Sequence, residues 1–510
     1  MIQGVQRPRV SIFLAPWLLL IVFQDPGVTA EHLRRGVELL EARAVAAAVV
    51  ELEAAVALDP ENVSARYHLG LAFFLTGELD AAVTQLKEAL KGESDTGRIQ
   101  FLLGQVHLEA RRFEAAQDAL IAAQAVIPDY APVSFHLAEL CYRLGRVEGA
   151  KARFGVLTRD TPDWVAPFVR LGAIGLEEGN GEEAGAWLEQ AVQLQPRNPA
   201  LWMRLASAQT LLDQGLQALE STRKAVELSP DSLPGRSAMM LRVVGMGDTE
   251  VIAQAIAAVL EMDPQNPHAK WQRAKLRFSE GKLVAALADV EDALTYLQDL
   301  AADGSERVGP LSDPPAEPSS EAPEFRYGVQ AAGLRVEILA KLGRHAEAVA
   351  VARALVRDHP QYPQAHFLLG NLLIQQGDPA GSEYLTRFRL LSEVGKRRYR
   401  GYQNRTERND LERARFEYEA ALDLDPEDSG SLLGLANVLR RSGNVARALD
   451  LLLKARRADA RPVWYKEWIL ALDAAGRGEE VQVAWLEAQE AGLSLGPEVW
   501  KVVYNANVEC

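Results

Sequence analysis

Small and apolar residues recur along the chain with a period of about 34 residues. One series runs through Gly36, Gly70, Gly104, Ala138 and Gly172. A series of alanines keeps the same interval, at Ala48, Ala82, Ala116, Ala150, Ala184 and Ala218. Prolines keep it as well, at Pro128, Pro162, Pro196, Pro230 and Pro264. Because three independent series share one period, the chain is predicted to repeat a single structural unit.

The spacing within each unit predicts two short antiparallel helices. A glycine or alanine on the first helix lets the two helices of a pair approach closely, and the second series of small residues serves the second helix. Proline cannot continue a helix and therefore ends the unit. One pair has too little core to be stable alone, so stacked units should bury the remaining apolar face and form a solenoid.

Regularity is interrupted once in the middle of the chain and once later. The pattern holds from about residue 29 to 297, and residues 298–328 are then rich in proline, serine and acidic residues that cannot build a core. We interpret this segment as an extended spacer, and a docking or processing role is the alternative. Two full periods after Pro360 would end at position 428, but the proline lies two positions earlier, at Pro426. A distorted unit is therefore expected between Ser382 and Gly401.

The second unit shows the complete motif, with Leu69, Gly70, Phe73, Ala82, Leu86 and Ala89 at its characteristic positions. This spacing resembles the tetratricopeptide repeat family. The resemblance implies an all-α solenoid of about 12 or 13 stacked antiparallel helix pairs with one disordered internal insertion. The expected organisation is an N-terminal array at 31–297, the linker at 298–328, a C-terminal array at 329–497, and a cap or tail at 498–510.

The first thirty residues are interpreted as a signal peptide. Two arginines precede a mostly apolar stretch from Val10 to Phe23, and small residues follow at Val28 and Ala30. The stretch is shorter than the ~20 residues of a comfortable membrane span. Cleavage after Ala30 would give a periplasmic or secreted protein. The alternative is an uncleaved segment that anchors the protein in a membrane, and both bacterial and eukaryotic sources are compatible with the sequence.

The net charge of the chain and the spacing of its reactive side chains limit the functions that the sequence is compatible with. The net charge of −15 argues against general binding to nucleic acid. The eight histidines form neither an i, i+4 pair nor an HExxH motif, so no metal or other cofactor is expected. His68 and His136, which occupy equivalent positions two units apart, are interpreted as polar groove residues. No catalytic constellation is found, and the repeats leave no room for a catalytic domain.

Aromatic residues recur on the first helices of units two to four at spacings that share one helix face. In proteins that this chain resembles, that face lines a peptide-binding groove. The candidate groove residues are Tyr67, Phe74, Phe101, Gln105, Phe135, Glu139 and Tyr142. Aromatic side chains are enriched at binding hot spots. The alternative is that these residues form core between repeats.

One basic cluster, residues 387–408, interrupts the acidic chain and coincides with the distorted unit. Arg397, Arg398 and Arg400 are the candidates for binding an anionic partner. The alternative is a solvated face that nearby glutamates partly neutralise.

These observations predict a non-catalytic exported scaffold that binds other proteins or peptides through its groove. An accessory subunit of an envelope assembly, polysaccharide-export or glycosyltransferase system is the alternative, and the sequence does not indicate the oligomeric state.

Overall fold

The computed structural model describes residues 26–92, 94–245, 247–302, 323–406, 408–456 and 462–491, together with positions 493, 495, 499, 502 and 503. Within these residues the regular elements are helices, which confirms the predicted all-α class. They are α1 Pro26–Glu41, α2 Val45–Leu58, α3 Val63–Thr76, α4 Leu79–Ala89, α5 Thr96–Glu109, α6 Phe113–Val126, α7 Ala131–Arg143, α8 Val147–Asp160, α9 Val165–Glu177, α10 Gly181–Leu194, α11 Pro199–Leu211, α12 Gly215–Leu228, α13 Leu233–Val244, α14 Thr249–Met262, α15 Pro267–Ser279, α16 Leu283–Ala302, α17 Pro323–Lys341, α18 His345–Asp358, α19 Pro363–Gln375, α20 Gly381–Thr406, α21 Leu411–Leu424, α22 Ser429–Arg441, α23 Val445–Arg456, α24 Pro462–Ala474 and α25 Gly478–Glu490.

The small residues of the first periodic series lie where the two helices of a pair touch. A Cβ atom added to Gly104 would lie 2.6 Å from Cγ of Leu120, and one added to Gly172 would lie 2.5 Å from Cγ of Leu188. Each contact joins a first helix to the second helix of its own pair. The alanines of the second series are buried, at Ala48, Ala82, Ala116, Ala150, Ala184 and Ala218. The periodic pattern therefore marks the core of each pair, as predicted.

The junction between α2 and α3 is fixed by two contacts that the periodic pattern did not reveal. The side chain of Asn62 accepts a hydrogen bond of 3.0 Å from the backbone N–H of Ala65 and so caps the start of α3. In the same turn, Nε of Arg66 donates to the carbonyl oxygen of Pro60 at 2.6 Å. Serine and asparagine caps recur at the same interval, at Asn198, Ser232 and Asn266.

The expected distorted unit is a single continuous helix. α20 has 26 residues and includes both the second helix of one unit and the first helix of the next. No proline lies between Pro379 and Pro426, and no asparagine or aspartate lies between Ala380 and Gln403. The helix continues through the position where a turn divides other units, and it carries Val394 at the place of the proline and Lys396 at the place of the cap.

The chain divides into two compact units, with the boundary between Leu140 and Cys141 inside α7. In the first unit, Leu52, Leu69 and Leu86 form the centre of the core. The second unit has a large buried cluster near the C-terminus, to which both Trp464 and residues of the tail belong.

The predicted C-terminal tail contributes side chains to that cluster. Val499 and Val503 are buried in it, and Nε2 of Gln482 donates to the carbonyl oxygen of Val503 at 2.9 Å. These two valines thus cover apolar surface of the last helix pair, which is the task of a solenoid cap.

Two predicted segments lie largely outside the described residues. Residues 1–25 of the predicted signal peptide are among them, and α1 begins at Pro26, before the proposed cleavage point. α16 and α17 enter the predicted linker from both sides, to Ala302 and from Pro323, and residues 303–322 are not described. Among the described helices, none is both long and apolar enough to cross a membrane.

Candidate functional site

The predicted groove residues lie on the first helices of three successive pairs. All of them are partly exposed, so none belongs wholly to the core. Tyr67 and Phe74 are on α3, Phe101 and Gln105 on α5, and Phe135, Glu139 and Tyr142 on α7. The first six belong to the first compact unit, whereas Tyr142 belongs to the second.

Tyr67 and Phe74 combine packing with exposure. Both pack against the apolar core of the first unit, in agreement with the alternative that such residues serve the stacking of repeats. Burial raises the pKa of the Tyr67 phenol, an effect that the positive charge of Arg98 partly opposes. The hydroxyl group therefore stays protonated near neutral pH and can donate a hydrogen bond.

Phe101 is the centre of an aromatic cluster in the first unit. Its ring meets that of Tyr130 edge to face with 5.5 Å between centroids, and that of His136 with 5.1 Å. Phe135 contacts the other side of His136 at 5.7 Å. Tyr130 is 46% exposed and lies in the turn before α7, where the groove pattern on the helices could not have indicated it. The two rings of an edge-to-face pair attract each other, and these contacts fix the orientations of the rings.

A hydrogen-bonded pair fixes the polar part of this cluster. Nδ1 of His136 lies 2.8 Å from the carbonyl oxygen of Pro132, which can only accept, so Nδ1 carries the proton. Nε2 of the neutral ring then accepts from the side-chain amide of Gln105 at 3.0 Å. The amide oxygen of Gln105 keeps its capacity to accept from a ligand.

Tyr142 is held by charged neighbours in the second unit. Its hydroxyl group donates to the carboxylate of Glu177, and the guanidinium of Arg170 lies 4.8 Å from its ring centroid. The phenol is therefore occupied by contacts within this unit.

The three arginines proposed for an anionic partner are in different environments. Arg398 donates to the buried carboxylate of Asp428 at 2.8 Å, and Asp428 in turn accepts from the backbone N–H of Ser431 at the start of α22. Arg397 lies 3.5 Å from Glu393 and 3.6 Å from Glu417. Arg400, by contrast, is exposed. Two of the three guanidinium groups are thus already paired.

A second polar group, near the C-terminus, was missed by the sequence analysis. Nδ2 of Asn437 donates to Oε1 of Glu467 at 2.7 Å, and Arg440 reaches the other carboxylate oxygen at 3.3 Å. All three side chains are largely buried between α22 and α24. Glu467 is far along the chain from both partners, so only stacked repeats bring the three side chains together. In the parts of the chain that the structure describes, no group of three or more potential ligands could hold a metal ion.

Two family models, each described as tetratricopeptide repeat, match the chain. One covers residues 33–98 and 334–387, and the other covers residues 107–173 and 405–466. Both compact units therefore contain matched repeats.

Among curated proteins, the protein O-mannosyl-transferase TMTC1 of Homo sapiens is 26% identical over 171 residues. The match covers 33% of this chain and 19% of that protein, so this chain spans about a fifth of its relative's length.

Several solved structures are similar to parts of the chain. The crystal structure of MamA is 19% identical, with a TM-score of 0.29, over 30% of this chain and 91% of that one. YrrB is described as a TPR protein with an unusual peptide-binding site. It is 19% identical, with a TM-score of 0.29, over 34% of this chain and 90% of that one. Yeast Tom70 is 14% identical, with a TM-score of 0.31, over 85% of this chain and 100% of that one.

Proposed function

The chain is a tetratricopeptide-repeat protein, and from this premise we propose that it is a non-catalytic, exported scaffold that binds peptide segments of other proteins. The proposed binding surface comprises Tyr67, Phe101, Gln105 and Phe135 in the first compact unit. The presence of tetratricopeptide repeats supports the role of a scaffold for protein interactions.

The aromatic cluster around Phe101 carries this proposal. Its rings are held in place by edge-to-face contacts yet stay partly exposed. Rigid aromatic side chains supply large contact area and lose little conformational entropy on binding. Gln105 adds an acceptor beside them, which suits the backbone N–H groups of an extended peptide. Burial in a core would explain the rings but not the exposure of Tyr130.

Selection from a random peptide library displayed on phage tests the surface. Peptides enriched by the full chain should bind the Phe101→Ala, Phe135→Ala double variant at least about tenfold more weakly, because each ring removed from a hot spot costs about 1 kcal/mol or more. Ile121→Ala, which truncates an exposed apolar side chain of α6, is the matched control and should bind as the parent does. Equal affinity of a folded double variant would reject the proposed surface.

Export is proposed from the first thirty residues alone. Sequencing the N-terminus of the mature chain tests it, since cleavage after Ala30 leaves Glu31 as the first residue. A mature chain that retains Arg7 in the membrane fraction would instead support the anchored alternative.

A second candidate is a non-catalytic subunit of a glycosyl-transfer or envelope system. The partial similarity to an O-mannosyl-transferase favours it. Copurification of the chain with a glycosyltransferase would support this candidate, whereas recovery of partners with no such activity would contradict it.

A further inference from the structure

We infer that the exposed face of α20 formed by Arg389, Lys396 and Arg400 binds an acidic, extended segment of another protein. We call these three residues the cationic stripe. The inference rests on the proposed role of the chain as a binding scaffold, but it uses neither the aromatic cluster nor the same unit of the molecule.

Six of the seven basic residues of α20 divide between two sides of the helix, and Arg397, which lies between them, is close to Glu393 and Glu417. Arg387 reaches Oδ2 of Asp425 at 3.3 Å, and Arg398 reaches Asp428 at 2.8 Å. The guanidinium of Arg405 lies 5.5 Å from the ring centroid of Tyr402. Both aspartates are buried at the junction between α21 and α22. Arg387 and Arg398 therefore stabilise the stacking of repeats, whereas the contact of Arg405 with Tyr402 lies within α20.

The cationic stripe lies on the opposite side. With about 100° of rotation per residue, its three members fall within about 40° of one another around the axis, and Arg387, Arg398 and Arg405 fall about 140–200° away. The rise of about 1.5 Å per residue places Arg389 and Arg400 about 16 Å apart. Because α20 is continuous, no turn between repeats disturbs this alignment.

The stripe is available to a ligand. Arg389 and Arg400 are exposed and form no ion pair within the described part of the chain. Lys396 is 66% exposed, and its only ion pair in the same residues is with Glu393 at 3.9 Å. A pair at that distance and exposure contributes little free energy, so an incoming carboxylate can replace it.

The charge of the whole chain favours a narrow partner over a broad anionic surface. α20 carries seven basic and two acidic residues, whereas the chain as a whole has a net charge of −15. A membrane covers a broad area, so it would face other surface of a chain whose net charge is −15 as well as the stripe. An extended acidic peptide is narrow enough to follow the stripe, and Glu393, which shares this face, lies near Lys396 and Arg397. Its carboxylates can pair with the arginine guanidinium groups in bidentate geometry.

Charge reversal tests the inference on the full chain. The variant Arg389→Glu, Lys396→Glu, Arg400→Glu should bind a fluorescent octaglutamate peptide at least about tenfold more weakly than the parent in about 50 mM salt. The matched control reverses three exposed cations elsewhere in the second unit, in the variant Arg223→Glu, Lys282→Glu, Arg344→Glu. Its affinity for octaglutamate should stay within about twofold of the parent's, because the net charge changes equally but the stripe is intact.

Three results would overturn the inference: equal weakening in the control, unchanged binding in the stripe variant, or stripe-dependent binding to phosphatidylserine vesicles with no binding of octaglutamate. The Phe101→Ala, Phe135→Ala variant separates the two proposals. It should bind octaglutamate as the parent does, so a failure of the aromatic surface leaves this test intact.

Discussion

The junction between α2 and α3 and the middle of α20 are two solutions to the same connection. At the first, Pro60 ends one unit, Asn62 caps the next helix, and Arg66 donates to the proline carbonyl. In α20, the position one period after Pro360 is Val394, and the helix continues. At these two junctions, the turn coincides with a proline and a capping side chain, and the continuous helix coincides with their absence.

The largest expected effect comes from restoring the missing proline. Val394→Pro should destabilise α20 by about 3 kcal/mol or more, because it removes a backbone hydrogen bond and forces the ring against the preceding turn. It also removes a side chain that is only 2% exposed. Hydrogen exchange of residues 382–406 measures the free energy of local opening.

Ser94→Pro is the matched control for that change, because Ser94 occupies the proline position of a junction that already has a turn between α4 and α5. Its effect should stay within about 0.5 kcal/mol. If Val394→Pro proves equally mild, local breakers do not explain the continuous helix.

An intermediate effect is expected from the arginines at the two junctions. Arg398→Ala should cost about 2 kcal/mol, since it leaves the carboxylate of Asp428 buried without its guanidinium partner. Arg66→Ala should cost about 1 kcal/mol, because the hydrogen bonds that are lost go to neutral acceptors, the carbonyl oxygen of Pro60 and Oε1 of Gln85. Urea denaturation of each variant gives the two values. Equal losses would mean that burial of the aspartate is unimportant.

The cap is expected to contribute less than the ion pair of Arg398 and about as much as Arg66. Asn62→Ala should destabilise the first unit by about 1 kcal/mol, because the N–H of Ala65 loses its acceptor. Lys396→Ala, in the middle of α20 where no cap is needed, should change stability by only a few tenths of a kcal/mol. A similar loss at both positions, measured by thermal unfolding, would contradict the distinction between capped and continuous junctions.

Periodicity in the sequence was sufficient to predict the fold. The regular spacing of residues such as Gly104 and Ala116 identified the helix pairs and their core, because each pair is built from contacts between residues close in sequence. The shortened interval before Pro426 placed the irregular unit correctly. The sequence also lacks a proline at Val394, but the periodic pattern predicted only a distortion and not a continuous helix.

The tertiary structure decided what the candidate binding residues do. Arg398 is not available to a ligand because it pairs with Asp428, which lies in the next repeat and meets Arg398 only when repeats stack. The link from Gln105 to His136 likewise joins neighbouring repeats. Helix periodicity assigns each side chain to a face, but the neighbouring repeat determines whether that face is filled. For this reason the sequence by itself determined the repeated scaffold, and only the stacking of its helices determined which aromatic and basic side chains stay exposed.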